Sequence, residues 1–234
     1  MQVEVALKSD ESHHLLNVLR VRVGQEIEVF NGEGGEGLAE VAGAGKGSIA
    51  LRMLERTLCE RPRVAVTLVQ AVTREQKMDL VVQKAVELGA LSIVPVLTEH
   101  GVVRLKPGDE SSKKTGRWSQ IALHAAKQCG AAWLTRISPV QRLADYLAAR
   151  PAYDLFLVCA LTDDARPLRD VLAGARDRKL GTIGVLVGPE GDFSADELRA
   201  IRAAGALPVS LGGTTLRSET AAVYALSVLR YELM

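Results

Sequence analysis

From Val64 onward the chain alternates apolar runs with helical patterns, and that alternation limits the fold more than any other feature. Val64–Val72 is a near-continuous apolar run, as a strand covered on both faces requires. Glu75–Leu88 then places Met78, Val81, Val82, Ala85 and Leu88 near helical spacing, and Gly89 supplies a stop. The same logic gives strands at Leu91–Leu97, Asp154–Ala160, Leu180–Val187 and Leu207–Leu211. Helices are expected at Ser111–Cys129, Arg166–Arg176, Ala195–Ala204 and Glu219–Leu233. Strands that alternate with helices in this way predict a mainly parallel, doubly wound α/β sheet.

The first sixty residues follow another pattern. Val21–Phe30, Leu38–Val41 and Ser48–Met53 read as short strands, and Glu26–Phe30 alternates polar with apolar. His13–Leu19 suits one short helix. A small β-barrel-like domain over residues 1–60 is expected, then a second domain over 61–234, joined near Pro62. The chain has 234 residues, 47% hydrophobic, which suffices for both cores. Charge divides at the same place. Residues 1–60 hold 6 Lys/Arg against 10 Asp/Glu, and the rest holds 23 against 18. A polyanion site therefore belongs to the second domain, as a local patch. Cys59, Cys129 and Cys159 stand singly, which suits a reducing cytoplasm and offers neither a disulfide framework nor a metal site. No apolar run reaches membrane-spanning length.

Two glycine-rich stretches imitate nucleotide motifs. Gly32-Glu-Gly-Gly-Glu-Gly37 fits the spacing of a dinucleotide loop, but a strand follows it where a helix is needed, so a hairpin turn is expected. In Gly43-Ala-Gly-Lys-Gly-Ser48, Gly follows Lys46 where a phosphate loop needs Ser or Thr.

Ligands of open α/β sheets bind beyond the carboxyl ends of strands, and two strand ends here are unusually rich. The first, Gly188-Pro-Glu-Gly191, sets a carboxylate between residues that break regular structure. Ser194 with Glu197 forms a capping box that explains the next helix start but not Glu190. The second, Leu211-Gly-Gly-Thr-Thr-Leu-Arg-Ser-Glu-Thr220, places Arg217 beside a helix start. A cation there opposes the helix dipole unless an anion partners it. Ser218 is a candidate N-cap.

"GPEGDFSADEL" and "LGGTTLRSETAAVYAL" resemble the two signature loops of SPOUT methyltransferases, and within them those of the small-subunit (16S) rRNA uridine-N3 methyltransferase family. "HHLLNVLRVRVGQEIEVFNGEG" resembles that family's N-terminal PUA-like barrel. "REQKMDLVVQKAVELG" and "RWSQIALHAAKQCG" resemble two of its catalytic-domain helices. Five blocks in the family's order cover nearly the whole chain.

The resemblance implies a C-terminal trefoil knot, a homodimer across it, and S-adenosyl-L-methionine as methyl donor. The donor site would comprise Leu161, Leu186, Gly188, Pro189, Glu190, Gly191, Leu211, Gly212, Leu216 and Arg217. Arg217 would offset charge developing on the uracil carbonyls. Glu219 is the candidate base, against the alternatives that it only orients Arg217 or caps the helix, or is a dipole-favoured carboxylate in the first helical turn. The target uridine must be extruded, because N3 lies on its pairing edge. Arg104, Lys106, Lys113, Lys114, Arg117 and Lys127 are candidate contacts to rRNA phosphates, and Gln128 and Cys129 lie near the target, with Cys129 read as a packed thiol. The chain departs from the family at Ala131 and Thr214, where Arg is usual, and at Thr98-Glu-His-Gly101. Two alternatives stand beside this one: a SPOUT enzyme for another RNA, and a non-catalytic ribosome-assembly factor.

Overall fold

A computed structural model describes residues 4–7, 9–45, 48–103, 109–175 and 178–233. The chain divides into two compact units, Met1–Arg61 and Pro62–Met234.

In the first unit the strands are β1 (Glu4–Ala6), β2 (Glu26–Phe30), β3 (Gly35–Gly45), β4 (Ser48–Met53) and β5 (Thr57–Leu58). They form one antiparallel sheet in the order β1-β4-β3-β2, with β5 also beside β3. Inward residues Ala39, Val41, Ile49 and Leu51 meet Val21 in a small core. The stretch expected as one helix is a single turn, α1 (Ser9–His13), continued by a π-helical turn at His14–Val18. The hairpin expected at Gly32–Gly37 is present, and it joins β2 to β3. Asn31 Oδ1 accepts the Glu33 and Gly35 N–H groups, and Gly32 and Gly34 take left-handed angles of 78° and 90°. Lys46 and Gly47 of the second glycine-rich stretch lie outside the described residues.

In the second unit the strands are β6 (Ala65–Ala71), β7 (Ser92–Leu97), β8 (Arg136–Ile137), β9 (Gln141–Arg142), β10 (Leu155–Cys159), β11 (Arg166–Pro167), β12 (Thr182–Val187) and β13 (Leu207–Ser210). Every described pairing is parallel, in the order β11-β13-β10-β12-β6-β7-β8, with β9 also on β7. The helices are α2 (Glu75–Glu87), α3 (Asp109–Cys129), α4 (Leu143–Ala149), α5 (Leu168–Ala173), α6 (Ala195–Ala203) and α7 (Ser218–Leu233). Parallel strands need long crossovers, and these helices supply them. Helices α4 and α6 cover one face, where Leu143, Tyr146 and Ile201 join Val69, Val158 and Leu186 in one core cluster. Helix α2 packs between α3 and α7, and α7 also meets β12 and α5. Met78, Val81, Trp118, Leu226 and Leu229 are all buried, and burial of one such side chain stabilises by roughly 1.5–3 kcal/mol.

The helix expected over Arg166–Arg176 is shorter. Arg166 and Pro167 pair with β13, and α5 starts only at Leu168. Proline has no N–H to give an interior helical bond, so it sits at the boundary. Among the described residues no helix is long and apolar enough to cross a membrane.

Candidate functional site

Parallel pairing levels the strand ends. Cys159 stands opposite Val187 and Val209, and Val187 stands opposite Gln70. The loops leaving β6, β7, β10, β12 and β13 therefore emerge at one end of the sheet, where open α/β folds place their ligands. β12 lies between β10 and β6, whereas β13 lies on the far side of β10. The order of the chain reverses there.

A buried hydrogen-bond chain joins the two signature loops. The Ser218 hydroxyl donates to the Gly188 carbonyl at 2.6 Å and accepts from Gln70 Nε2 at 2.9 Å. Gln70 Nε2 also donates to the Ala71 carbonyl at 3.0 Å, and the Gln70 side chain is fully buried. Ser218 is thus no N-cap. It is buried at the first turn of α7, and its hydroxyl reaches sideways to the end of β12 instead of capping its own helix. Ser194 does cap: it accepts the Glu197 N–H at 3.3 Å while Glu197 Oε2 accepts the Ser194 N–H at 3.0 Å.

Asp192, which sequence reasoning passed over, shapes the first loop. It takes a left-handed φ of 56°, a conformation that only short polar side chains enter readily. Its N–H donates to the Pro189 carbonyl at 3.0 Å, closing the turn around Glu190. Its carboxylate accepts from the Phe193 N–H at 2.8 Å and, at 3.4 Å, from the Leu161 N–H in the loop after β10. The Gly-Asp pair was the available signal, since Asp tolerates this conformation in turns. The loop after β7 docks on the same turn. His100 Nδ1 lies 3.1 Å from the Gly191 carbonyl oxygen, and the Glu99 N–H donates to Glu197 Oε1 at 2.8 Å. These two residues therefore brace the loop.

Glu190 is not a free turn carboxylate. Lys77, on α2, donates to its Oε1 at 2.6 Å. Partial burial pushes the Glu190 carboxyl up, but the Lys77 hydrogen bond, a backbone N–H and the charges of Lys77 and Arg74 outweigh it and hold it below the usual carboxylate range. Lys77 also lies 3.5 Å from Glu219 Oε2, an ion pair without a hydrogen bond at that oxygen. The Glu219 side chain is only 12% exposed. A carboxylate placed there only to suit the helix dipole has no need of such burial.

The other site residues fall as follows. The Leu161 side chain is exposed, and Leu186 is wholly buried in the core beneath the loops. Gly188 and Pro189 are buried, and Gly191 and Gly212 are exposed. Leu211 and Leu216 are half-buried. Gly212 has a φ of 129°, and a Cβ there or at Gly213 would meet nothing within 4 Å, so this backbone lies open to a ligand. Arg217 is exposed, and among the described residues its side chain has no hydrogen bond or ion pair. The cation that needs an anion at this helix start has none among the described residues.

Against known proteins, the RNA methyltransferase domain family matches residues 60–230, and the PUA domain of RNA methyltransferases matches residues 7–54. The ribosomal RNA small subunit methyltransferase E of Mycobacterium bovis is 33% identical over 227 residues, which cover 93% of this chain and 82% of that protein. The chain belongs to the ribosomal RNA small subunit methyltransferase E family. Solved structures superpose closely on it. The Neisseria gonorrhoeae member, solved bound to S-adenosyl methionine, is 28% identical, with a TM-score of 0.86 and coverage of 98% of this chain and 92% of that one. A putative methyltransferase of Legionella pneumophila, solved with bound cofactor SAM, is 30% identical with a TM-score of 0.88 and the same coverage.

In this family member the basic stretch divides. Lys113 is exposed and Lys114 half-buried on α3. Arg117 is paired with Glu75 and Asp79 of α2, so its charge is compensated within the protein. Lys127 is half-buried and has a partner. Arg104 and Lys106 lie outside the described residues. Gln128 is exposed at the end of α3. Cys129, expected to be packed, is exposed, because the helix ends there and Gly130 turns the chain away at a φ of 69°.

Proposed function

We propose that this chain transfers a methyl group from S-adenosyl-L-methionine to N3 of a specific uridine in 16S ribosomal RNA. The observation that carries this reading is the 2.6 Å bond between Ser218 and the Gly188 carbonyl, which fastens the two signature loops together at the ligand end of the sheet. Membership of the family, and the relatives named for small-subunit rRNA methylation, support the substrate. The residues suit the donor. Gly212 and Gly213 leave backbone uncovered, Gly188 and Gly191 let the first loop pack against Phe193 and His100, and Leu161, Leu211 and Leu216 offer apolar edges. When bound, the donor supplies an electrophilic methyl on a sulfonium.

The protein's own task is to ready the acceptor. Uracil N3 is protonated at neutral pH, and as its proton leaves, negative charge spreads onto the two flanking carbonyl oxygens. Arg217, without a carboxylate partner among the described residues, stabilises that charge. Glu219 accepts the proton. The Lys77 ammonium lies 3.5 Å from its Oε2. Extrusion of the base fits a surface of the second domain gripping RNA through Lys113 and Lys114. The chain beyond β13 threads a loop to form the trefoil knot, two copies dimerise across it, and the enzyme works on ribosomal RNA in the cytoplasm.

The test is in vitro methylation. Unmodified small ribosomal subunits are incubated with methyl-labelled donor, and the digested RNA is read by nucleoside mass spectrometry. N3-methyluridine at one position is expected. Label on another base atom, or no label on subunits or naked rRNA, would contradict the reading.

A further inference from the structure

We propose that Lys77 is a positioning residue that registers the two halves of the site, pinning the donor loop to the acceptor-side helix through Glu190 and Glu219. This rests on the function proposed above. The geometry is specific. One ammonium on α2 lies 2.6 Å from Glu190 Oε1, in the loop after β12, and 3.5 Å from Glu219 Oε2, on α7. These partners are 113 and 142 positions away in sequence, yet they flank the two loops that carry Gly188 and Arg217. Without Lys77, two carboxylates would stand together at the mouth of the site with no shared counter-ion.

The surrounding charges leave this role to Lys77. Arg74, at the N-cap of the same helix, acts on Glu190 only through its charge. Arg117 of α3 is committed to Glu75 and Asp79. Arg217 has no carboxylate partner among the described residues. His100, on the adjoining loop, meets the Gly191 carbonyl and, among the described residues, no carboxylate. The side chain of Lys77 is 27% exposed, so the pin is partly sheltered from screening by salt and water.

The test compares the parent protein with Lys77→Met and Lys77→Arg. Carbon-13 carboxyl resonances, assigned with Glu190→Gln and Glu219→Gln, are followed against pH. In Lys77→Met the Glu190 carboxyl, deprived of its hydrogen-bonded ammonium, should titrate at higher pH than in the parent, and Lys77→Arg should restore the parent curve. In methylation assays kcat/KM of Lys77→Met should fall by roughly 10–100-fold, mostly in kcat, because misregister of donor and acceptor is felt in the reacting complex. In Lys77→Arg kcat/KM should recover. Unchanged titration curves would overturn the pin. Shifted curves with parent-like kcat/KM would overturn its positioning role. An inactive parent protein would sink the proposed function instead, and the titration would still decide whether Lys77 holds the two carboxylates.

Discussion

Ser218→Ala removes one oxygen and should loosen the whole ligand end of the sheet. The Ser218 hydroxyl is buried and serves two partners, the Gly188 carbonyl at 2.6 Å and Gln70 Nε2 at 2.9 Å. Gln70 keeps its bond to the Ala71 carbonyl, so its loss is partial. The Gly188 carbonyl is left as a buried acceptor without its donor, which costs about 1–3 kcal/mol. A total near 2 kcal/mol corresponds to a fall in Tm of roughly 4–8 °C for a unit of this size. Scanning calorimetry of the Pro62–Met234 transition reads the shift. Gln70→Met, alone and combined with Ser218→Ala, completes a cycle whose coupling should be about 0.5–3 kcal/mol. A Tm change below about 1 °C, or strict additivity of the two substitutions, would refute the reasoning.

Arg217→Ala should slow methyl transfer by roughly 10²-fold or more with little change in Tm, since the side chain is exposed and without a partner among the described residues; unchanged kcat would remove it from the mechanism. Gly37→Ala should destabilise the Met1–Arg61 unit selectively, because a Cβ there would lie 2.1 Å from the Glu55 carbonyl oxygen; a parent-like melting profile would contradict this. Asp154 accepts the Gly181 and Thr182 N–H groups and the Thr182 hydroxyl, which hold its carboxyl below the usual value of 3.8. A lowered folded-state pKa stabilises above the unfolded value and is lost as pH falls through the folded one, so the parent should lose stability on acidification below about pH 4. Asp154→Asn should flatten that loss, and an unaltered acid limb of Tm against pH would contradict it.

Features written over a few residues were the legible ones. The Ser194–Glu197 capping box, the hairpin at Gly32–Gly37 and the parallel sheet all follow from local spacing or periodicity, and the structure contains each. Ser218 and Cys129 defeated local reasoning in opposite ways. The serine is turned into the protein by partners 30 and 148 positions away, and the cysteine is carried out of it by a helix end. The links from Lys77 to Glu190 and from Arg117 to Glu75 and Asp79 also span dozens of residues, and no spacing rule encodes them. Helix α4 and the two-residue strands β8, β9 and β11 are too short to show a period. Glu99 and His100 were noticed only as departures from a pattern. Their use became visible once β7 and β12 were seen to end side by side with β6 between them.

The most direct measurement is a crystal structure of the protein with S-adenosyl-L-methionine. The donor is expected between Gly188–Gly191 and Leu211–Arg217, with Leu161 on its third side and its methyl group facing Arg217 and Glu219. A donor lodged instead in the cavity of about 330 Å³ at the opposite end of the sheet, among Arg150, Tyr153 and Arg178, would contradict it.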